Sequence, residues 1–376
     1  MLTTPSPDPS TELSTDPDRS PIADAVIDHV ELQVADLAAT VARLTSSYGF
    51  EPLAPVARDG RGGEHLSVLL GQGRIRLLVV QALDADHPAR AFVERHGDGV
   101  AGIALGVADP VAVHARLVAR GAVTVEPPTV RDGRPRATVA AFGDVVHHLV
   151  QRGADAPDGG PAGSGAVGSG AVGTGAVGLR AVDHFAVCLP TGGLEPAVRF
   201  YAEVFGMRVI FEENIAVGPL GMNSTVVQND AGEVTLTLIE PASRAEAGQI
   251  ESFLADHGGA GVQHVAFSSE DIVATVATMR RLGTPFLRAP SAYYDLLGER
   301  LTPRRHGADR LRDGDILVDE DHHGQLFQIF TRSEHPRRTL FFEVIERIRA
   351  RGFGSNNIRA LYEAVELQRS ATGVGR

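Results

Sequence analysis

The sequence predicts an α+β protein made of two pseudo-symmetric halves, each built from two β-α-β-β-β modules. Three observations predict it. The chain has 376 residues, enough for two ordinary domains, and 43% of them are hydrophobic, as suits a globular protein. A stretch unable to build a core, "GADAPDGGPAGSGAVGSGAVGTGAVG", lies between Gly153 and Gly178. The segments on either side of it resemble each other, and internal duplication is a fold-level signal.

The elements follow in order. Residues 1–24, "MLTTPSPDPSTELSTDPDRSP" and its continuation, are rich in Pro, Ser, Thr and Asp and read as a disordered tail. They lack the basic and apolar regions of a secretory signal. Residues 25–152 form the first expected domain, opening with "VIDHVELQVADLAATVARLTSSYGFEPL" from Val26. This is an alternating strand, an amphipathic helix ending near a glycine, and another strand. A second strand–helix unit starts at Val100. Residues 153–179 are the flexible linker. Residues 180–376 form the second domain, opening with "AVDHFAVCLPTGGLEPAVRFYAEVFGMRVI" from Ala181 and restarting at Val262. In the last segment, "SNNIRALYEAVELQR", Ile358, Leu361, Tyr362 and Val365 recur at helical spacing. Ser355 or Asn356 could cap that helix. Its apolar face either packs on the sheet or covers the mouth of a cavity, and periodicity does not choose between the two.

Bulk properties exclude several classes. A formal net charge of −12 argues against nonspecific nucleic-acid binding. Cys188 is the only cysteine, so no intrachain disulfide or cysteine metal cluster is expected, and it reads as a small buried strand residue. No apolar run is long enough to span a bilayer, so no membrane partner is expected and the cytoplasm is the expected location.

The repeat exposes the chemistry. "HGDGVAGIALGVADPVAVHARLVARGA" and "HGGAGVQHVAFSSEDIVATVATMRRLGT" are corresponding segments. With Val100 set against Val262, Gly102 falls where His264 stands. The strand therefore folds without an imidazole, and a chemical reason for His264 is worth seeking. His184 in "AVDHFAV" and Glu343 in "TLFFEVIER" complete a candidate set. Two imidazoles and one carboxylate on one face of a metal leave open positions, as in non-haem Fe(II) oxygenases. Strand alternation puts Glu343 on the face of Phe341 and Ile345, where an ionised carboxylate is costly unless paired or metal-bound. Each residue alone reads more often as a hydrogen-bonded core residue than as a ligand. The first half keeps His29 opposite His184, has Gly102 opposite His264, and offers no clear counterpart to Glu343 in "GDVVHHLVQR", so it is expected to be metal-free. His147 and His148 read as strand-end residues, and His322 and His323 as a turn.

At this point "GAGVQHVAF", "PSAYYDLLGERL", "ILVDEDHHGQLFQIFT" and "FFEVIERIRARGFGSNNIRALYEAVE" resemble the 4-hydroxyphenylpyruvate dioxygenase family of the vicinal oxygen chelate superfamily. The resemblance spans roughly Val26 to Gln368 and is most specific in the second half. It implies that each pair of modules forms an open barrel-like sheet, with the C-terminal helix over the active site. It implies Fe(II) as cofactor, held by His184, His264 and Glu343, and 4-hydroxyphenylpyruvate and O₂ as substrates. The 2-oxo acid would chelate Fe(II) through its keto oxygen and carboxylate, and CO₂ would be lost. One branch of the family attacks the ring and gives homogentisate. The other hydroxylates the benzylic carbon and gives 4-hydroxymandelate, a product suited to supplying 4-hydroxyphenylglycine for peptide antibiotics.

Two departures resemble the second branch. Ile239 in "VTLTLIEP" stands where the ring-attacking branch usually has asparagine, and Ile358 in "GSNNIRAL" where it usually has phenylalanine. Further substrate-pocket candidates are Ser224, Thr237, Gln328, Phe330, Phe341 and Phe353. Gln263 reads as a structural partner on the opposite strand face from His264, not as a ligand. No catalytic residue beyond the metal ligands is expected. The oligomeric state is open, a homodimer being compatible with the family. Two other readings remain: a metal-free module that sequesters small molecules, and ring cleavage of a catechol by the same ligands.

Overall fold

The computed structural model describes residues 19–60, 63–131, 133–152, 177–217, 220–242, 248–354 and 356–357. The first half runs β1 (Val26–Gln33), α1 (Leu37–Tyr48), β2 (Glu51–Pro52), β3 (Ala57–Asp59), β4 (His65–Gln72), β5 (Ile75–Ala82), α2 (Pro88–His96), β6 (Gly99–Val107), α3 (Pro110–Ala119), β7 (Thr124–Arg131), β8 (Arg134–Ala140) and β9 (Val146–Gln151). The second repeats this order with β10 (Leu179–Cys188), α4 (Leu194–Glu203), β11 (Arg208–Val217), β12 (Leu220–Gln228), β13 (Thr235–Pro241), α5 (Gln249–His257), β14 (Gly261–Ser269) and α6 (Ile272–Arg281). Three short helices follow, α7 (Ser291–Asp295), α8 (Leu297–Arg300) and α9 (Ala308–Asp313), then β15 (Leu317–Glu320), β16 (Gln325–Phe330) and β17 (Phe341–Ile348).

Three of the four modules start their helix by the same local chemistry. Asp36, Asp109 and Asp271 each sit just before a helix in extended backbone and accept a hydrogen bond from an N–H of its first turn. Such a cap is worth about 1 kcal/mol. Helix α1 ends at Gly49, whose φ of 71° suits a residue without Cβ. The strands then assemble into two open, barrel-like sheets of one design. The first has the order β2-β4-β5-β1-β6-β9-β8-β7, with β3 added on β4, and the second β11-β12-β13-β10-β14-β17-β16-β15. At each centre two antiparallel strands, β1 with β6 and β10 with β14, begin the two modules. Each centre strand is flanked by a parallel partner from its own module. The expected pair of duplicated halves is therefore the observed architecture.

Alternation sorts the side chains of the central strands. Phe185, Val187, Leu236, Leu238, Val265, Phe267, Phe342 and Val344 enter the main apolar core, so His184, Ala186, Thr237, Ile239, His264, Ala266, Phe341 and Glu343 share the other face. That core is continuous between the halves. Tyr48 meets Phe342 edge-on at 5.3 Å and Phe50 meets Phe267 at 6.0 Å. Reciprocally, Tyr201 and Phe205 of the second half pack on His147 of the first.

The ends of the expected tail and linker are part of this body. Ile22 is 1% exposed, and the Asn229 amide donates to the carbonyls of Ile22 and Ala25 at 3.0 and 2.8 Å. Val177 is buried and Leu179 begins β10, with its N–H donating to the Gln72 amide oxygen. A tail reaching residue 24 and a linker reaching 179 thus overstate both segments, because apolar side chains at their ends reach the core. Their remaining residues, and Ile358 with the helix expected after it, lie outside the described residues. No helix among the described residues is long and apolar enough to cross a membrane.

Candidate metal centre

His184, His264 and Glu343 meet on three adjacent strands. Ala266 of β14 is the register partner of His184 on one side and of Glu343 on the other. Its methyl group leaves the space between them open. His184 Nε2 and His264 Nε2 lie 3.4 and 3.3 Å from Glu343 Oε2, and the three side chains are 5%, 12% and 3% exposed. Ligands about 2 Å from one ion stand about 3 Å apart, so the spacing fits a shared cation.

Two β-bulges orient the imidazoles. In the β10–β14 pairing the register slips between Val182 and His184, and again opposite Gln263. A bulge puts an extra residue on one strand and re-aims its side chain. Asp183 and Gln263 are thereby brought round to the histidines that follow them. His184 Nδ1 donates to Asp183 Oδ1 at 2.8 Å and His264 Nδ1 to Gln263 Oε1 at 3.3 Å. With Nδ1 engaged by these partners, Nε2 is the nitrogen that faces Glu343 and that a metal ion would take in place of a proton. Gln263 is a structural partner, as expected, but it does not point away from His264, because the strand is not ideal there.

The electrostatics also favour a cation. Burial works against charge on His184, but Asp183 and Glu343 outweigh it and push the imidazole up to about 9. Burial would raise Glu343, yet the two imidazoles hold it at about 2. His264, whose Nδ1 faces a neutral amide, is lowered by burial. Asp183 also resists burial, held below the usual carboxylate range by Arg347 and His184. An ionised carboxylate fixed between two imidazoles inside the protein is a donor set for a divalent metal.

A second group, Asp271, His306 and Glu346, also brings ligand atoms within 4.8 Å of one another. Its donors are already engaged. Arg305 Nε lies 2.7 Å from Glu346 Oε1, and the Ile272 N–H and His306 Nε2 lie 2.8 and 2.9 Å from Oε2. Asp271 caps α6. A guanidinium on the same carboxylate repels a second cation, so this cluster is a structural ion-pair network.

The expected pocket residues fall around the first group. By register Thr237 lies beside Ala186, Ile239 beside Cys188 and Ser224 beside Ile239, all on the face of His184. Gln328 pairs with Ile345 and Phe330 with Glu343. Phe341 stacks on His264 at 5.0 Å, Phe330 meets it at 5.7 Å, and Phe353 meets His184 edge-on at 5.1 Å. Ile239 lies in a small apolar cluster with Ala186, Cys188, Ile250 and Phe253. The Thr237 hydroxyl and the Gln328 amide oxygen are buried without a hydrogen-bond partner. A cavity of about 140 Å³ lies against Phe353, Leu326 and Gly354, beside the ligands and not around them. Ile358 is outside the described residues. The residues not singled out from sequence are Asp183 and Arg347. The repeated Asp–His pair in "VIDH" and "AVDH" was the available signal for the first.

The first half contains a rearranged version of the same place. Its bulge recurs at Asp28, which accepts from His29 Nδ1 at 2.7 Å. Ala104 pairs with His148 as Ala266 pairs with Glu343, so His148 is the counterpart of Glu343 and not a strand-end residue. His147, on the other face, bonds the Tyr201 hydroxyl at 2.9 Å. Opposite Gly102 stands Glu31, whose Oε2 lies 3.3 Å from His148 Nε2. A Cβ on Gly102 would come within 2.7 Å of that nitrogen, so His148 fills the room a third ligand would need. His322 and His323 do form a turn, with Asp321 accepting from the His323 N–H.

A pair of duplicated modules presenting two histidines and a glutamate from the sheet centre defines a class. Profiles of the Glyoxalase/Bleomycin resistance protein/Dioxygenase superfamily match residues 28–141 and 181–329. The 4-hydroxyphenylpyruvate dioxygenase of Dictyostelium discoideum is 30% identical over 92% of this chain and 98% of its own. That of Caenorhabditis elegans is 31% identical over 92% of each. The solved structure of a triple mutant of 4-hydroxymandelate synthase from Streptomyces coelicolor is 41% identical, with a TM-score of 0.78 over 92% of this chain and 99% of its own. The chain belongs to the 4-hydroxyphenylpyruvate dioxygenase family.

Proposed function

We propose that this dioxygenase binds Fe(II) through His184, His264 and Glu343 and converts 4-hydroxyphenylpyruvate and O₂ to 4-hydroxymandelate and CO₂. One oxygen atom enters the new carboxylate and the other the benzylic carbon, which balances the reaction without a further reductant. Ferrous iron held by these residues would bind the oxo acid and activate O₂, the oxidant for both bond changes. The protein supplies the rest. Asp183 and Gln263 hold the two imidazoles in one tautomer. Phe330, Phe341 and Phe353 wall the aromatic ring and exclude water. Gln328 offers an amide beside the oxo acid, and Ser224 and Thr237 offer hydroxyls to the phenol.

The observation that carries the choice of product is Ile239, buried among Ala186, Cys188 and Phe253 on the face of His184. An asparagine there would offer a polar partner, worth about 0.5–1.5 kcal/mol net, to hold the substrate in another orientation. Product choice depends on how the ring is held relative to the oxo group. The 41% identical neighbour with the synthase name supports the same reading. The 30–31% identical relatives named as dioxygenases favour the other product, homogentisate.

Iron-loaded protein incubated with 4-hydroxyphenylpyruvate under air, with chiral chromatography of the aromatic product, decides between them. 4-Hydroxymandelate is expected, and homogentisate as the sole product overturns the reading. Ile239→Asn combined with Ile358→Phe is expected to divert part of the product toward homogentisate, and unchanged 4-hydroxymandelate output would refute the role given to these positions.

A further inference from the structure

We propose that Arg347 is a positioning residue that ties the metal ligand His184 to the segment carrying Phe353. The inference rests on the metal reading of His184, His264 and Glu343. Arg347 Nε and Nη2 donate to Asp183 Oδ2 and Oδ1, both at 2.9 Å, in a bidentate fork. Its Nη1 donates to the Gly352 carbonyl. The guanidinium carbon lies 4.7 Å from the centre of the Phe353 ring, whose edge meets His184. Arg347, Asp183, His184 and Phe353 thus close a circuit. Asp321 also holds the N–H groups of Arg351 and Gly352, and Asp319 holds Asn356. Of these anchors, Arg347 is the one that also reaches the partner of a metal ligand.

The first half supplies an internal control. Four residues beyond His148, the counterpart of Glu343, stands Arg152, as Arg347 stands beyond Glu343. There the arginine donates to the Asp24 carbonyl, and Asp28 is 40% exposed where Asp183 is 15% exposed. The fork belongs to the half that has all three ligands. A lysine could keep a point charge on Asp183 but could not also reach Gly352 in the planar geometry of a guanidinium.

The test uses the full chain, stripped of metal and titrated with Co(II), read by the visible absorption of the bound ion. In parallel, trypsin cleavage after Arg351 is timed by mass spectrometry. Arg347→Gln is expected to raise the Co(II) Kd about 10–100-fold, the usual effect of losing an outer partner, and to speed the cleavage. Arg347→Lys is expected to keep the Kd within about threefold of wild type while the cleavage is still faster. Asp183→Asn with Arg347→Gln removes both charges, so folding survives without a lone buried carboxylate, and the Kd is expected to rise at least about 10-fold. A folded double variant with the wild-type Kd, or cleavage of Arg347→Gln at the wild-type rate, overturns the proposal. A wild-type protein that takes up no Co(II) overturns the metal reading as well, which separates the two failures.

Discussion

Glu343 shows how much one side chain settles. It is 2% exposed, carries its charge between two imidazoles, and among the described residues has no other side-chain partner. Glu343→Gln keeps the shape and removes the anion. Fe(II) binding, followed by metal analysis after gel filtration, should weaken by more than the about 10–100-fold typical of an outer partner, and product formation should fall with it. The contrast with Asp271 is instructive. That residue also belongs to a cluster of ligand-capable side chains, yet it serves as a helix cap. Asp271→Ala should cost about 1 kcal/mol in urea denaturation and leave the bound metal stoichiometry unchanged.

Among the elements, the bulges in β10 and β14 and the turn after β17 do the positioning. A regular strand would send Asp183 and Gln263 to the face opposite their histidines, and the Nδ1 atoms would lose those partners. After β17 the chain turns at Gly354, whose φ is 81° and whose added Cβ would lie 2.4 Å from both amide atoms of Gln328. Gly354→Ala therefore meets both a backbone penalty and a collision, together about 1–3 kcal/mol. Because the colliding group is Gln328 and not a ligand, turnover should fall while Co(II) affinity stays near wild type, measured by steady-state kinetics and metal titration.

For the whole molecule, the two halves act as one body because helices and aromatic rings of each pack on the other. A column of rings, Phe253, His257 and His96, crosses the junction, with the two imidazoles stacked at 4.4 Å. His147 reaches across to Tyr201 in the same way. Burial, first among the causes, holds His147 and His257 at about 4, below the ordinary 6.5. Between those values the unfolded chain binds more protons than the folded one. Stability from this source is therefore complete above pH 6.5 and is lost as the pH falls toward 4. For His147 the loss is on the order of 3 kcal/mol. Urea midpoints measured across that window should fall with pH, and His147→Phe should flatten the slope while lowering stability at neutral pH.

The modules, their duplication and the three converging residues could be read from local pattern, because alternation, helical spacing and repeated motifs are properties of neighbouring residues. Comparing Gly102 with His264 even showed where an imidazole was dispensable to folding. The counterpart of Glu343 could not be read that way. His148 takes that place only because β9 pairs with β6 in one particular register, which is set by strands far apart in the chain. The same holds for Gln263 and Asp183, whose directions depend on bulges that exist only once two strands are paired. It holds again for the Arg347 fork, and for the arginine that closes the Asp271 cluster to metal. Local sequence carries periodicity, but register, bulges and the partner of each buried charge are decided by long-range pairing, which exists only in the folded chain.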